Sequence, residues 1–260
     1  MRADVYLTLA GHTGSRKKAQ DLIAAGAVKV DGIPVKKASA PINEAVMHQV
    51  EIEPVFKYVS RGGMKLEAAL NAFEISVNHK RAVDVGASTG GFTDCLLQRG
   101  ASQVICVDSG IGQLHESLQK NPRVISVEHF NARELNPTVT QGLCDLAVAD
   151  VSFISQTYII PPVTTVLKPN GIFVSLIKPQ FEAGWSALGK NGIVTNAAYR
   201  FLAVKRVIAC ATENGLDCAG LIPSPIEGGD GNKEYLACFY NRPCLRSAVE
   251  DRDIKRITAL

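Results

Sequence analysis

The sequence predicts an α/β protein: a mostly parallel sheet with helices on both faces, preceded by a small α+β unit. Three observations predict it. Beyond residue 81, short apolar strand-like runs alternate with helical stretches. Near the N-terminus, two helical segments precede a two-residue hairpin signal, Asp31-Gly32, flanked by Val28-Lys-Val30 and Ile33-Pro-Val35. Basic charge also gathers at that end: residues 1–65 hold ten Lys/Arg against six Asp/Glu, and the remainder 18 against 19.

In the first segment, Arg2 to Leu9 suggests a short helix. Ser15 can cap a second, its hydroxyl accepting from first-turn amides. That helix carries Ala19, Leu22 and Ile23 at helical spacing and stops near Gly26, a fitting C-terminal residue. After the hairpin, a strand-like run covers Met47 to Ile52, and Glu53-Pro54 is a boundary candidate. The expected organisation is a small domain over 1–53, a basic, glycine-containing linker over 54–64, a large domain over 65–241, and a polar, loosely held tail over 242–260. In the large domain, strands are expected at Ala82–Val85, Val104–Val107, Val124–Val127, Leu146–Val151 and Ile172–Ile177. A long helix follows over Asn196–Asn214, then strands near Leu221 and at Tyr235–Tyr240.

Composition narrows the class. The chain has 260 residues, 46% hydrophobic and 20% charged, the mix of a globular protein with a sizeable core. Seven cysteines at 95, 106, 144, 210, 218, 238 and 244 form no CxxC pair and lie partly inside apolar runs such as Val104-Ile-Cys-Val107. They read as reduced core residues rather than a disulfide or zinc framework. No apolar run reaches the ~20 residues of a membrane span, and the N-terminus lacks the apolar core of a signal peptide. A cytoplasmic protein with no membrane or metal partner is expected. Clustered positive charge at one end suits a polyphosphate partner.

In parallel sheets ligands bind beyond the carboxyl ends of the strands. The first strand of the large domain ends in Asp84-Val-Gly86-Ala87-Ser88-Thr-Gly90-Gly91-Phe92. Its glycines allow a sharp turn and close approach to a ligand, and the following helix offers free amides. Asp108 ends the next strand, 18 residues past Gly90. A carboxylate there can accept from both ribose hydroxyls of an adenosine-type cofactor. A dinucleotide site prefers G-x-G-x-x-G; the D-x-G-x-x-x-G-G found here suits a cofactor without pyrophosphate, S-adenosylmethionine rather than NAD. The expected cofactor residues are Asp84, Gly86, Ala87, Ser88, Gly90, Gly91, Phe92, Asp108 and Asp150.

Three further strand ends carry charge. Asp150 closes the fourth strand, Lys178 the fifth, and Glu234 opens the last. An unpaired ammonium after Val-Ser-Leu-Ile is costly to bury. Lys178 therefore requires carboxylates, and Asp150 and Glu234 are expected to hold it from neighbouring strands. A structural ion pair is the plain alternative.

These motifs resemble the TlyA (haemolysin A) family of ribosomal RNA 2′-O-methyltransferases, whose catalytic domain is similar to the FtsJ/RrmJ methyltransferases. The matching residues are the Lys-Pro-Gln-Phe-Glu run at 178–182, Asp150-Val-Ser-Phe-Ile154, and Arg61-Gly-Gly-Met-Lys65. The resemblance covers residues 1 to about 241. It implies a Rossmann-like S-adenosylmethionine-dependent methyltransferase domain with a Lys–Asp–Lys–Glu tetrad at Lys65, Asp150, Lys178 and Glu234. The N-terminal segment looks like the alpha-L (S4-type) RNA-binding fold in Ser15-Arg-Lys-Lys-Ala-Gln20, Ile23, Gly26 and Val28-Lys-Val-Asp-Gly32, with Arg2-Ala-Asp4 standing where an arginine-leucine-aspartate run is usual. Arg2, Ser15, Arg16, Lys17, Lys18, Lys29, Lys36, Lys37 and Arg61 are the expected RNA-binding residues.

The implied activity is 2′-O-methylation of ribose in ribosomal RNA, at cytidines, with ribosomal subunits as partners. A lysine acts as base only when neutral; burial favours that form and carboxylates oppose it, and the sequence leaves both open. Lys178 is assigned as base or hydroxyl-steering group, Asp150 and Glu234 as its holders, and Lys65 as the group that positions the ribose. The alternatives are a methyltransferase for another substrate, a ribosome-binding assembly factor with a vestigial site, and a haemolysin. Asp150-Val-Ser-Phe153 in place of an Asn-Pro-Pro-Tyr signature argues against base or amide N-methylation.

Overall fold

The computed structural model describes residues 1–24, 26–52, 57–228, 231–242 and 248–260. They form two compact units, Met1–Lys57 and Tyr58–Leu260. The Glu53-Pro54 boundary signal and Cys244 lie outside the described residues.

In the first unit, α1 (Ala3–Leu9) and α2 (Arg16–Ala24) precede β1 (Val28–Val30), β2 (Ile33–Pro34) and β3 (Val50–Ile52). The three strands pair in the order β2-β1-β3. The hairpin closes through Asp31 and Gly32, at φ 53° and 76°, the two positive angles that a type I′ turn requires. The Ser15 hydroxyl accepts from the Lys18 amide at 3.2 Å, capping α2. Ala3, Leu7, Ala19, Leu22, Ile23, Val28 and Val30 form the core of this unit.

The second unit opens with α3 (Gly62–Ala72), earlier than the expected domain start at 65. Tyr58 is already buried in its core, so the chain from 58 onward belongs to this unit rather than to a linker. There follow β4 (Arg81–Val85), α4 (Gly91–Gln98), β5 (Gln103–Val107), α5 (Glu116–Gln119), β6 (Val124–Val127), β7 (Cys144–Ala149) and α6 (Ile160–Val166). The remaining elements are β8 (Leu167–Ile177), α7 (Pro179–Glu182), α8 (Ala197–Glu213), β9 (Leu216–Pro223), β10 (Tyr235–Asn241) and α9 (Asp251–Ala259). The seven strands run in the order β6-β5-β4-β7-β8-β10-β9. The first five are parallel; β10 runs antiparallel to both β8 and β9.

The central strands read as near-continuous apolar runs because both faces are covered. Val83, Val85, Ile105, Ala147 and Phe173 join one apolar layer with α6 and α8. Ala82, Val104, Leu146, Val148 and Val174 join the other with α3 and α4. Strand β8 begins five residues before the expected Ile172, because Leu167 pairs with Cys144 across an irregularity in register. Of the cysteines described, five are buried and Cys210 is half-buried, and none of them forms a disulfide.

The C-terminal segment differs from the loosely held tail expected. Residues 251–259 form α9, started by a reciprocal capping box between Glu250 and Asp253. Ile254 and Thr258 are buried, one turn apart on one face. The buried Arg200 of α8 donates twice to the Thr258 carbonyl, at 2.7 and 3.0 Å, and to Thr195 at 2.6 Å. The mean composition of this helix is polar, and only its spacing of Ile254, Ile257 and Thr258 betrays the inward face.

If α9 is integral to the large unit, Ile254→Ala will destabilise the protein by about 2–4 kcal/mol, as deletion of a buried isoleucine usually does. Urea unfolding measures this; an unchanged midpoint would mean that the helix contributes nothing.

Candidate active site

The parallel order brings the carboxyl ends of β4, β5, β6 and β7 to one edge. A cavity of about 820 Å³ opens there, lined by Gly86, Ser88, Asp108, Ser109 and Gln113, then by residues 129–133 after β6 and 150–154 after β7. That volume lies within the usual range for small-molecule sites.

The turn after β4 is held by contact with the turn after β7. Gly86 has φ 81°, and a Cβ there would lie 2.7 Å from the Asp150 carbonyl oxygen. Only glycine satisfies both demands. At the end of β5, Asp108 accepts from the amides of Ser88 (2.8 Å) and Gly110 (2.7 Å), one per carboxylate oxygen. Each oxygen retains a further acceptor site, so the carboxylate is oriented without being used up. The Ser88 bond also holds that residue at φ 47°, uncommon for a side chain-bearing residue.

Four of the residues expected at the cofactor do not line this cavity, and a fifth lies wholly beneath it. Ala87 and Phe92 are buried in the core. Gly90 and Gly91 serve close packing: a Cβ on Gly90 would strike Leu114 and Leu118, and one on Gly91 would lie 2.9 Å from the Gly63 nitrogen. Asp84 is fully buried below the loop and accepts from the Thr93 hydroxyl at 2.7 Å. Burial pushes its carboxyl up to about 7, aided by the negative charges of Asp150 and Asp108 and opposed by Thr93. Its Oδ1 has no hydrogen-bond partner among the described residues. Sequence reading missed Ser109, Gln113 and the wall after β6; the usable signal was the position of residues 129–133 beyond a parallel strand.

The four charged residues meet as two ion pairs. Lys178, following β8, places Nζ 2.6 Å from Asp150 Oδ1 and donates to Ser152 Oγ at 2.9 Å. Lys65, on the first turn of α3, lies 2.5 Å from Glu234 Oε2. Lys65 is 9% exposed and Glu234 4%. The expectation that Glu234 would hold Lys178 is therefore corrected. Glu234 stands one rung beyond the Tyr235–Ile177 pairing, beside Lys178 in register, yet its carboxylate turns to Lys65 because α3 packs against that end of β10.

Two loops hold this edge. Glu182, buried at the end of α7, accepts from the Ser155 hydroxyl (2.5 Å) and the Gln156 amide (2.7 Å). Gln156 in turn donates to the Leu176 carbonyl. This clamp ties the Asp150 loop to the Lys178 turn. Phe153, at φ 61° and 91% exposed, packs its ring 5.1 Å from Phe181.

In the first unit, Lys17, Lys18, Lys36, Lys37, Arg2 and Arg16 are exposed, Ser15 serves as the α2 cap, and Lys29 is half-buried. Arg2 and Arg16 also pair with the buried Asp4, at 2.9 and 3.2 Å. Arg2 foremost, then Gln20 and Arg16, hold the Asp4 carboxyl well below the usual carboxylate range. The Arg2-Ala-Asp4 opening is thus the tie between α1 and α2. Arg61 is exposed at the start of α3 in the second unit. Among the described residues no cluster of His, Cys, Asp and Glu has a metal-binding arrangement.

Known proteins share these features. Residues 58–241 match the model of the FtsJ-like methyltransferases, and residues 1–47 that of the S4 domain. The chain is 42% identical to the 16S/23S rRNA (cytidine-2′-O)-methyltransferase TlyA of Mycobacterium tuberculosis, over 90% of this chain and 88% of that one. It is also 42% identical to Hemolysin A of Brachyspira hyodysenteriae, over 92% and 99%. A solved structure of a hemolysin candidate from Streptococcus thermophilus superposes with a TM-score of 0.79 at 39% identity, covering 100% of this chain and 94% of that one.

The raised Asp84 carboxyl has a stability consequence. A carboxyl near 7 when folded and near 4 when unfolded stabilises the fold fully at low pH. That contribution is lost as pH rises from about 4 through 7. Asp84→Asn, uncharged at every pH, removes this dependence. Thermal midpoints of the wild type relative to Asp84→Asn will therefore fall between pH 5 and pH 8; parallel profiles would contradict the burial argument.

Proposed function

This chain belongs to the FtsJ-like methyltransferase family, and from that premise we propose that it transfers a methyl group from S-adenosylmethionine to a ribose 2′-hydroxyl of ribosomal RNA, at a cytidine. The observation that carries the reading is the Lys178–Asp150 pair, with Asp150 lining the cavity at the sheet's carboxyl edge. The first unit, with its S4 match and exposed lysines, is the RNA-binding part. A chain acting on ribosomal subunits works in the cytoplasm. The hemolysin name of one relative and the methyltransferase name of another fall on proteins equally similar to this chain. Among the described residues, no helix is long and apolar enough to cross a membrane.

The cavity suits the cofactor. Asp108 offers its remaining acceptor sites to ribose hydroxyls, Gly86 and Ser88 form a close backbone floor, and the walls after β6 and β7 enclose the rest. S-adenosylmethionine supplies, when bound, a methyl group on a sulfonium that departs as a neutral thioether. The hydroxyl is a poor nucleophile until its proton leaves. Once its ammonium has given up a proton to solvent, the neutral Lys178 Nζ takes the hydroxyl proton: the O–H bond breaks, an N–H bond forms, and the electron pair left on oxygen makes the bond to carbon. Asp150 orients Lys178 and stabilises the ammonium that results. Lys65, held by Glu234, steers the ribose and offsets charge developing on its oxygen.

Lys178→Ala will lower the single-turnover rate roughly 10²- to 10⁴-fold, the usual worth of general-base help, with calorimetric affinity for S-adenosylmethionine retained. A purely structural pair predicts instead a loss of about 3–5 kcal/mol of stability from the orphaned carboxylate. A Lys178→Ala protein that melts far earlier yet methylates at near-normal rate would refute the catalytic role.

Charge reversal in the first unit tests the RNA assignment. Lys36→Glu with Lys37→Glu will weaken binding to ribosomal RNA at low salt. The salt slope will fall by about 1 for each phosphate that is no longer neutralised. Undiminished affinity and slope would remove these lysines from the interface.

A further inference from the structure

The geometry points to Ser152 as a positioning residue that aims the proton-accepting face of Lys178. This role rests on the reading of Lys178 as the base. Lys178 Nζ has two partners on one loop: Asp150 Oδ1 at 2.6 Å and Ser152 Oγ at 2.9 Å. Ser152 also lines the large cavity, so the lysine meets it at the cavity's edge. The amine nitrogen is tetrahedral. One direction is its bond to Cε and a second carries the N–H given to Ser152 Oγ, whereas Asp150 Oδ1, though 2.6 Å away, makes no hydrogen bond and acts through its charge.

In the neutral lysine two N–H groups and one lone pair share the three directions away from Cε. The hydrogen bond to Ser152 assigns one of them to an N–H, and the Asp150 charge repels the lone pair from its own side. The lone pair is left the direction away from both, and the amine is poised to take a proton there. Asp150 alone cannot do this: an ionic contact outside hydrogen-bond geometry satisfies the charge but does not fix rotation about the Cε–Nζ bond. The step concerned is the proton transfer alone: the hydroxyl O–H bond breaks, and an N–H bond forms at Nζ.

The support for Ser152 is rigid. Glu182 accepts from the Ser155 hydroxyl and the Gln156 amide, three and four residues further along the same loop. Glu182 also closes the short helix that begins just after Lys178. The serine oxygen and the lysine are thereby referred to one frame. The ring of Phe181, centred 6.0 Å from Nζ, covers the lysine from the same turn. A carboxylate alone would satisfy the charge; the hydroxyl supplies direction.

The test uses the full chain, purified ribosomal subunits and methyl-labelled S-adenosylmethionine, with Ser152→Ala, Ser152→Thr and Lys178→Ala compared in parallel. Ser152→Ala is expected to lower the saturated single-turnover rate roughly 10- to 100-fold through weakened orientation. Its calorimetric affinity for S-adenosylmethionine, its half-saturating subunit concentration and its thermal midpoint stay at wild-type values. Ser152→Thr, which keeps the hydroxyl, restores most of the rate. A wild-type rate in Ser152→Ala overturns the proposal. So does a Ser152→Ala loss that follows weakened cofactor affinity, which would make the serine a cavity wall only. A threonine variant as slow as alanine, with normal cofactor affinity, also overturns it. If Lys178→Ala itself turns over normally, the reading of the base fails and this role with it. If Lys178→Ala is inactive while Ser152→Ala is normal, only this role fails.

Discussion

Two lysine ammonium groups stand at the carboxyl edge of an otherwise apolar sheet, and each requires a carboxylate within hydrogen-bond reach. Moving an unpaired ammonium out of water costs several kcal/mol, so each pairing constrains the elements that supply it. Lys178 and Asp150 demand that β7 and β8 be neighbours whose ends lie within two residues of each other, which their parallel register provides. Lys65 and Glu234 demand that α3 pack on the end of β10, and contacts between the two elements meet that demand. The Glu182 clamp then fixes the loops that carry Asp150 and Lys178. Sheet order, helix docking and loop conformation at this edge thus answer one electrostatic requirement.

The same edge gathers negative charge from Asp84, Asp108 and Asp150, all beyond or within neighbouring strands. The structure separates them by solvation. Asp108 is bound to two backbone amides and Asp150 to a lysine, whereas Asp84 is sealed in the core with uncharged Thr93 as its donor. Burial keeps the Asp84 carboxyl protonated below about 7. Below that pH one of three nearby carboxylates is therefore neutral, which limits repulsion beneath the loop after β4.

Local chemistry was legible in the sequence; the partnering of distant residues was not. Asp31-Gly32 specified its turn because few residues tolerate two positive φ angles. Asp150, Lys178 and Glu234 were recognisable as charges at the ends of apolar strands. Which carboxylate meets which lysine was not recognisable, since that depends on where α3 docks, and nothing in Arg61-Gly-Gly-Met-Lys65 states it. The glycine-rich turn after β4 was legible, yet Gly90 and Gly91 pack closely against Leu114, Leu118 and the start of α3, because a glycine needed for close approach looks alike whether the neighbour is ligand or protein. The wall after β6 has no motif, only a place in the topology. Helix α9 escaped because its one inward face is diluted by the charged residues around it, from Glu250 to Arg256.

The position of β10 has a consequence for the order of events at synthesis. This strand lies between β8 and β9 although it follows both in the chain. As the polypeptide emerges from its N-terminus, the half of the sheet that carries the Gly86 and Asp108 loops is complete early. Strand β9 then has no partner until β10 arrives to join it to β8. The Lys65–Glu234 contact spans 169 residues. A chain stalled or clipped before residue 234 would therefore hold the walls of its cavity but leave the Lys65 ammonium without its counter-ion. The Lys65 side of this edge is thus completed only after the strand that carries Glu234 has been made.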